Sequence, residues 1–175
     1  MSNPDRFANR RTRLLNRWYA RRSRRQRGAD GFVSQPEPRT IGSFARGRQL
    51  IAGNLLFAGY LLESQDTALW DVTAPNAAFD AERHGFGWLD DLAAVGDMAA
   101  RHKAQTWLWG WIERHGSGWG PGWTPDLAGR RVIRWINHAP FLLRGQDGPE
   151  SEAFFRALTA QAWFLSKRWS AACWS

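Results

Sequence analysis

WLWGWIERHGSGWGPGWTPDLAGRRVIRWINH, residues 107–138, predicts a buried helix, an aromatic turn and a second helix with a basic face. The stretch contains six of the twelve tryptophans in the 175-residue chain. The glycines of its GSGWGPGW segment permit positive φ, and Pro121 fixes one φ angle. Thr124 is a suitable N-cap for the second helix, and Pro125 suits its first position. The stretch therefore predicts two helices joined by a stiff connection.

The second helix carries an apolar stripe and, beside it, a basic edge. Apolar residues from Val132 to Leu143 recur at helical spacing and predict a face that packs in the core. Arg131, Arg134 and His138 follow one another at i, i+3 and i+7 along one edge of that face. Two interpretations stay open. The edge is a solvated or salt-bridged flank, or it is an anion-binding face, because arginine can hold a carboxylate or sulfate through two parallel hydrogen bonds.

Three segments resemble the N-terminal helical part of the bacterial heparinase II/III-like family. They are GRQLIAGNLLFAGYLLE (residues 47–63), LWDVTAPNAAFDAERHGFGWLDDL (69–92) and GWGPGWTPDLAGRRVIRWINHAPFLL (118–143). The likeness extends from about Phe32 to Gly145. It implies a polysaccharide lyase that acts by β-elimination on polysaccharides containing uronic acids, such as a glycosaminoglycan.

In the resembled family the helical toroid continues and a β-sandwich follows it. The family's catalytic asparagine and its tyrosine/histidine pair belong to those later parts. The resemblance therefore implies a chain that is truncated at its C-terminus, lacks catalytic residues and is inactive alone. The partners that it implies are an acidic polysaccharide and the remaining part of the full-length protein.

The resemblance also implies a sugar-binding site made of positive charges and aromatic rings. The residues assigned to that site are Trp119, Trp123, Arg131, Arg134, Trp135, His138 and His84. A second interpretation stays open for His84, which as a capping or core histidine would be satisfied by the backbone. Tryptophans at helical spacing are likewise more often core residues than a sugar platform.

The net positive charge of the chain arises from its N-terminal end. The formal net charge is +8, and residues 1–30, with ten arginines against Asp5 and Asp30, account for all of it. Cys173 is the single cysteine, so no disulfide can form within the chain. No cluster with zinc-site spacing occurs, and we expect neither a metal nor a cofactor. A long apolar run and a secretory signal are both absent from the sequence, which predicts a cytoplasmic protein.

The basic end, residues 4–27, is typical of a helix with a narrow apolar stripe. The stripe contains Phe7, Leu14, Leu15 and Trp18, and arginines surround it. Three interpretations compete: the stripe docks on the body, the arginines bind nucleic acid, or the helix lies on an anionic membrane. They support an alternative function, a non-catalytic helical binding module whose basic arm takes nucleic acid or an acidic partner.

Apolar periodicity and turn residues predict a mainly α fold of antiparallel helical hairpins, with a small β-hairpin near residues 54–63. The resemblance implies that the hairpins form part of an incomplete (α/α) toroid. We expect a basic arm over residues 1–30 and a partial toroid domain over residues 31–175. Within that domain we expect a helix at 43–51, an irregular connection at 64–88, a long helix at 89–114 and a last helix after Asp147. The open apolar edge of the last helix predicts self-association.

Overall fold

The computed structural model describes residues 4–34, 41–64 and 67–171, with side chains described from Arg10 onward. Cys173 lies outside the described residues. The helices are α1 (Pro4–Ser23), α2 (Phe44–Ile51), α3 (Ala77–His84), α4 (Gly87–Val95), α5 (Met98–His115), α6 (Pro125–Asn137), α7 (Ala139–Leu143) and α8 (Gly148–Arg168), followed by a 3₁₀ turn, Trp169–Ala171. Two strands, β1 (Asn54–Phe57) and β2 (Tyr60–Glu63), form one antiparallel sheet. The mainly helical fold and the hairpin are confirmed, and the toroid stays a prediction.

The hairpin forms because two residues with positive φ join its strands. Ala58 has φ 50° and Gly59 has φ 81°, which matches the twist of a two-residue turn. Phe57 is buried and packs edge-on against Phe79 of α3, with the ring centroids 5.1 Å apart. The small sheet is thereby fixed to the helices, as a sheet of two strands requires.

The predicted helix over residues 43–51 is confirmed as α2. Ser43 is its N-cap and accepts a hydrogen bond from the backbone N–H of Arg46. Helix α2 lies directly against α4 at Gly42 and Gly47, where an added Cβ would collide with the backbone carbonyls of Asp90 and Asp91. These two glycines therefore let the two helices approach more closely than any larger residue would permit.

The single long helix predicted over residues 89–114 is wrong, because the chain breaks between α4 and α5. Gly96 adopts φ 71° and ends α4 in the left-handed conformation. Asp97 then caps α5, its carboxylate accepting from the backbone N–H of Ala100 at 2.7 Å. Gly96 therefore ends one helix and Asp97 begins the next. The apolar pattern continues on both sides of this pair, and for that reason the sequence pattern favoured a single long helix.

Replacing Asp97 with alanine is expected to lower the free energy of unfolding by about 1 kcal/mol, the usual effect of losing an N-cap. The substitution Asp97→Asn would keep the cap but lose the exposed ion pair with Arg48, whose Nη1 lies 3.4 Å from Oδ2 of Asp97. It is therefore the matched control and should change stability by less than about 0.5 kcal/mol. Urea denaturation followed by circular dichroism measures the free energy of unfolding of both variants. If Asp97→Ala and Asp97→Asn lose the same stability, the loss arises from the ion pair with Arg48 and not from the cap.

Two further predictions differ from the structure, namely the irregular connection at residues 64–88 and the C-terminal end of the second helix. The connection 64–88 contains helix α3, which begins after Asn76, whose side chain accepts from the N–H of Phe79 at 2.8 Å. The helix predicted to continue to Leu143 ends at Asn137, and α7 begins beyond His138. Asp147 occupies the N-cap position of α8, as expected, but its side chain makes no capping hydrogen bond.

Aromatic rings from several helices form the centre of the core. Trp111 of α5 and Trp135 of α6 are fully buried and pack edge-on, with ring centroids 5.5 Å apart. Trp135 also stacks on Phe154 of α8 at 5.4 Å. The interpretation that Trp107, Trp109 and Trp111 belong to the core is confirmed for Trp107 and Trp111, which are buried, whereas Trp109 is partly buried against the core.

Helix α1 docks on α8, as the docking interpretation expected, but Leu14 and Trp18 of the predicted stripe do not make the contact. Leu15 is partly buried, and the side chain of Phe7 lies outside the described residues. Asn16 Oδ1 accepts a hydrogen bond from Arg168 Nε at 2.7 Å, and Tyr19 lies beside Trp163 with ring centroids 6.1 Å apart. Leu14 and Trp18, the expected docking residues, are 65% and 53% exposed. Besides Tyr19, the inner face carries the small or polar residues Asn16, Ala20 and Ser23, which allow α1 to lie close to the body.

Docking of α1 also covers the apolar edge on which the prediction of self-association depended. Besides the contacts of Asn16 and Tyr19, the backbone N–H of Ala29 donates to Thr159 Oγ1 at 3.1 Å. The outward side of α8 is therefore packed against the chain's own N-terminal segment.

None of the helices in the described ranges has both the length and the apolar character needed to cross a membrane.

Candidate functional site

The structure does not bring the seven predicted site residues together on one surface. Five of them are buried, Arg134 is partly buried, and only one is exposed, Trp119. The five buried residues are His84, Trp123, Arg131, Trp135 and His138.

Arg131 is enclosed in the core and makes its hydrogen bonds to neutral oxygen atoms. Its Nε donates to Gln161 Oε1 at 2.5 Å, and its Nη1 donates to the carbonyl oxygens of His84 (2.9 Å) and Gly122 (3.2 Å). The guanidinium also lies over the ring of Trp111, 4.1 Å from its centroid. Burial lowers the pKa of Arg131 to about 9. The side chain therefore joins α6 to α8 and to the connection before α6, and it does not reach an external anion.

His84 is a core histidine, as the second interpretation proposed, but its ring is satisfied by the side chain of Trp111 and not by the backbone. It is 1% exposed, and its Nδ1 accepts a hydrogen bond from Trp111 Nε1 at 3.1 Å. Burial, and then the positive charges of His115, Arg131 and Arg83, lower the pKa of His84 to about 2. The ring is therefore neutral at physiological pH and belongs to the core.

Arg134 and His138 are occupied by one carboxylate. Arg134 Nε lies 2.8 Å from Asp90 Oδ2, and His138 Nε2 lies 2.9 Å from Asp90 Oδ1. The neighbouring Asp91 accepts from the backbone N–H of Ser43 at 2.8 Å. These two buried carboxylates connect α4 to α6 and to the start of α2. Arg134 and His138 are thus paired with a carboxylate within the fold, which agrees with the interpretation of a salt-bridged flank for these two residues, whereas Arg131 is buried among neutral acceptors.

Four of the exposed arginines on α1 form a row that follows one side of the helix. Arg10, Arg13, Arg17 and Arg21 are all exposed, and their spacing of three, four and four residues places them along one edge. We call these four residues the arginine ladder. At 1.5 Å per residue the ladder extends over about 16 Å. Within the part of the chain that the structure describes, no ion pair involves any of the four.

The ladder borders a groove between α1 and the connection that leads to α6. Arg13 and Arg17 form one wall, Trp119 and Pro121 belong to the other, and the groove has a volume of about 570 Å³. Arg21 lies over the ring of Trp119, 3.7 Å from its centroid. We call this space the α1 groove.

Gly118 fixes the distance between the two walls of the α1 groove. Its φ is 87°, and a Cβ at this position would lie 2.5 Å from the carbonyl oxygen of Ala20 in α1. The glycine-rich connection therefore passes directly against the helix. Trp123, at the far end of the groove, is 4% exposed and donates through Nε1 to the carbonyl of His115 at 2.7 Å. The aromatic wall is thus anchored in the core at one end and exposed at Trp119.

A metal site does not account for any of these side chains. Within the described ranges, no group of three or more histidine, cysteine, aspartate or glutamate residues is placed to hold a metal ion.

Sequence reasoning found the arginines and Trp119 but did not find their arrangement. The arginines were described as surrounding an apolar stripe, although four of them recur at the spacing of a single helix edge. That spacing was the signal in the sequence that could have revealed the ladder. Its position beside Trp119 had no local signal, because it depends on how α1 docks.

Comparison with known proteins gives one informative similarity. The chain is 32% identical over 105 residues to FtsZ-localized protein C from Caulobacter vibrioides, and this region covers 59% of the chain but 18% of the relative. The chain therefore spans under a fifth of that relative. No family model matches, and no solved structure matches.

These findings show that the resemblance to heparinase II/III-like lyases is wrong. No lyase family model matches the chain, and the relative is named as an FtsZ-localized protein. The lyase function that the resemblance implied is corrected with it, and the comparisons give no support for an acidic polysaccharide as a partner. The segments that carried the resemblance have a structural explanation, since their tryptophans, arginines and histidines mostly pack in the core or pair with Asp90.

Proposed function

We propose that this chain is a non-catalytic helical binding module that uses the arginine ladder to hold an acidic segment of a protein partner. The observation that carries the proposal is the ladder itself: four exposed guanidinium groups in register on a docked helix, with no carboxylate of the described residues paired to them. Arginine forms forked, charge-assisted hydrogen bonds with carboxylates, so a row of four favours a chain of acidic side chains.

The docking of α1 supports a binding role rather than a solvated tail. Helix α1 is held by Asn16, Tyr19 and the close contact at Gly118, so the ladder is fixed before a partner arrives. A fixed helix loses less conformational entropy on binding than a disordered basic tail would.

The division into an arm of residues 1–30 and a body of residues 31–175 stays a prediction. In our proposal, α1 forms part of the binding surface of the folded chain.

FtsZ, or a protein that assembles with it, is the candidate partner. The support is the similarity to a protein named for its localisation with FtsZ, over a region that covers most of this chain. A protein partner is favoured over nucleic acid because the chain outside residues 1–30 carries no net positive charge. Anionic membranes and nucleic acid are outcomes that the experiment has to separate from the proposal.

Replacing the four ladder arginines with glutamine is expected to weaken binding to polymerised FtsZ by about 10-fold or more, because each exposed pair contributes about 0.2–1 kcal/mol. The measurement is co-sedimentation of the full chain with FtsZ from Caulobacter vibrioides, at low salt and again with added salt. Salt is expected to weaken binding of the unaltered chain, since exposed charges are screened.

The matched control replaces Arg11, Arg22, Arg25 and Arg27 with glutamine, which removes the same charge from other exposed positions of the same segment. This variant should retain binding within about 3-fold, because position and not total charge determines the affinity. Parallel measurements use duplex DNA and vesicles containing an anionic lipid. Binding to DNA or vesicles without binding to FtsZ would overturn the proposal, as would equal losses in the two variants.

A further inference from the structure

We infer that the α1 groove recognises an extended segment of the partner in which acidic and large apolar residues alternate, with carboxylates on Arg13 and Arg17 and an apolar side chain against Trp119. This inference rests on the proposed function and adds to it the position and the sequence pattern of the bound segment. It is carried by the different chemistry of the two walls of the groove.

The two walls present charge on one side and apolar surface on the other. Arg13 and Arg17 lie one helical turn apart on the α1 wall, and both are exposed. Trp119, 52% exposed, and Pro121 form the opposite wall. The guanidinium of Arg21 lies over the Trp119 ring, 3.7 Å from its centroid, so an apolar side chain would meet the part of the ring that Arg21 leaves exposed. A segment lying between these walls must therefore be acidic toward one wall and apolar toward the other.

An extended chain meets that requirement through its own geometry. Successive side chains of an extended segment point to opposite sides, and side chains on one side repeat about every 6.6 Å. Residues one turn apart on a helix have Cβ atoms about 5–6 Å apart, and the flexible arginine side chains bridge the difference. Alternating acidic and apolar residues would then place each carboxylate toward the arginines and each apolar side chain toward Trp119. A helical partner, about 10–12 Å wide, would not direct its side chains to both walls in this way.

The electrostatics at the end of the groove favour an anion. Thr124 lines the groove and caps α6, so the positive end of that helix lies there. Asp126 in the first turn of α6 would oppose an anion, but its Oδ1 lies 3.1 Å from Arg130 Nε on the same helix. The volume of about 570 Å³ is in the range of pockets that enclose a few side chains.

Trp18 provides a matched control for the aromatic wall. It is 53% exposed, almost the same as Trp119, but it lies on the outward side of α1 beside Leu14. Trp18 shares a second pocket with Arg17 and Arg21 but does not line the α1 groove, so its removal alters an equally exposed tryptophan that is not part of the aromatic wall. The arginine control is Arg11→Gln with Arg22→Gln, compared with Arg13→Gln and Arg17→Gln.

The experiment uses two labelled peptides of identical composition, one alternating (EFELEFE) and one in blocks (EEEEFLF), and follows their fluorescence anisotropy with the full chain. We expect the alternating peptide to bind about 10-fold more tightly, since only it satisfies both walls. Trp119→Ala should remove most of that preference, and Trp18→Ala should leave it unchanged. Arg13→Gln with Arg17→Gln should weaken binding of the alternating peptide more than the control pair does. Thermal melting establishes that each variant is folded.

Failure of this inference can be distinguished from failure of the proposed function. If both peptides bind equally, or if Trp18→Ala and Trp119→Ala have the same effect, the groove is not the recognition site, although binding through the ladder stands. If neither peptide binds at low salt while FtsZ still co-sediments in a ladder-dependent manner, the alternating pattern is wrong and the proposed function stands. If neither the peptides nor FtsZ bind, both proposals are overturned.

Discussion

Replacing Arg131 with alanine is expected to lower the free energy of unfolding by about 3–5 kcal/mol. The side chain is fully buried and donates to Gln161 Oε1 and to the carbonyls of His84 and Gly122. Without it, three acceptors in the core lose a donor, and each costs about 1–3 kcal/mol when left unsatisfied. A cavity beneath Trp111, whose ring the guanidinium covers, adds to the loss.

The neighbouring residue supplies a control for this prediction. Arg130 is exposed and pairs with Asp126 one turn away, so Arg130→Ala should cost less than about 0.5 kcal/mol. Arg131→Lys keeps a charge but cannot reproduce the fork of donors, and its stability should lie between those of the other two variants. Urea unfolding of the three variants gives the comparison. A loss for Arg131→Ala as small as that for Arg130→Ala would mean that the buried network does not stabilise the fold.

Local signals in the sequence were sufficient for most of the helices and for the hairpin. Ser43 and Thr124 cap helices where capping residues predict them, and Ala58-Gly59 turns the hairpin where a glycine permits it. These features depend on neighbours in sequence, so the chain itself contains the information. The missed break at Gly96-Asp97 was also a local signal, but a continuous apolar face outweighed it.

The environment of the polar residues could not be predicted in the same way. Arg131 and Arg134 occupy neighbouring turns of one helix edge, yet only the first is enclosed by Gln161 and Gly122, which lie 30 and 9 residues away. Whether a guanidinium meets solvent or the core depends on where α8 and the GSGWGPGW connection pack. No periodicity within α6 contains that information.

The docking of α1 shows why large apolar residues were a poor guide to its inner face. Leu14 and Trp18 form the most hydrophobic stripe, but the face against the body carries Asn16, Ala20 and Ser23. Close approach of the helix to Gly118 requires small residues at the contact, and the bulky residues then remain outside. Because α1 docks through this face, its other sides remain exposed, and they carry Leu14, Trp18 and the arginine ladder.

Lowering the pH from 7 to 5 is expected to destabilise the protein by about 2 kcal/mol through His84 alone, at about 1.4 kcal/mol per pH unit below the unfolded-state value. The pKa of His84 is about 2 in the fold, against 6.5 when unfolded, because burial and nearby positive charges disfavour protonation. The unfolded chain therefore binds more protons between these values, and stability falls as the pH falls. The pKa of His115, in contact with His84, is also lowered, chiefly by burial, and adds to the loss.

Two substitutions connect this acid sensitivity to the buried histidine. His84→Gln keeps an acceptor for Trp111 Nε1 but cannot be protonated, so the loss between pH 7 and 5 should be smaller by about 2 kcal/mol. His102→Gln, at an exposed position of α5, should leave the loss unchanged. Asp80 is the one carboxylate near the ring, with Oδ1 3.7 Å from Nε2, and its pairing with Arg83 limits the help it gives to a protonated His84. Urea titrations at both pH values would contradict the argument if His84→Gln and the unaltered chain lost the same stability, because the acid sensitivity would then arise outside this cluster.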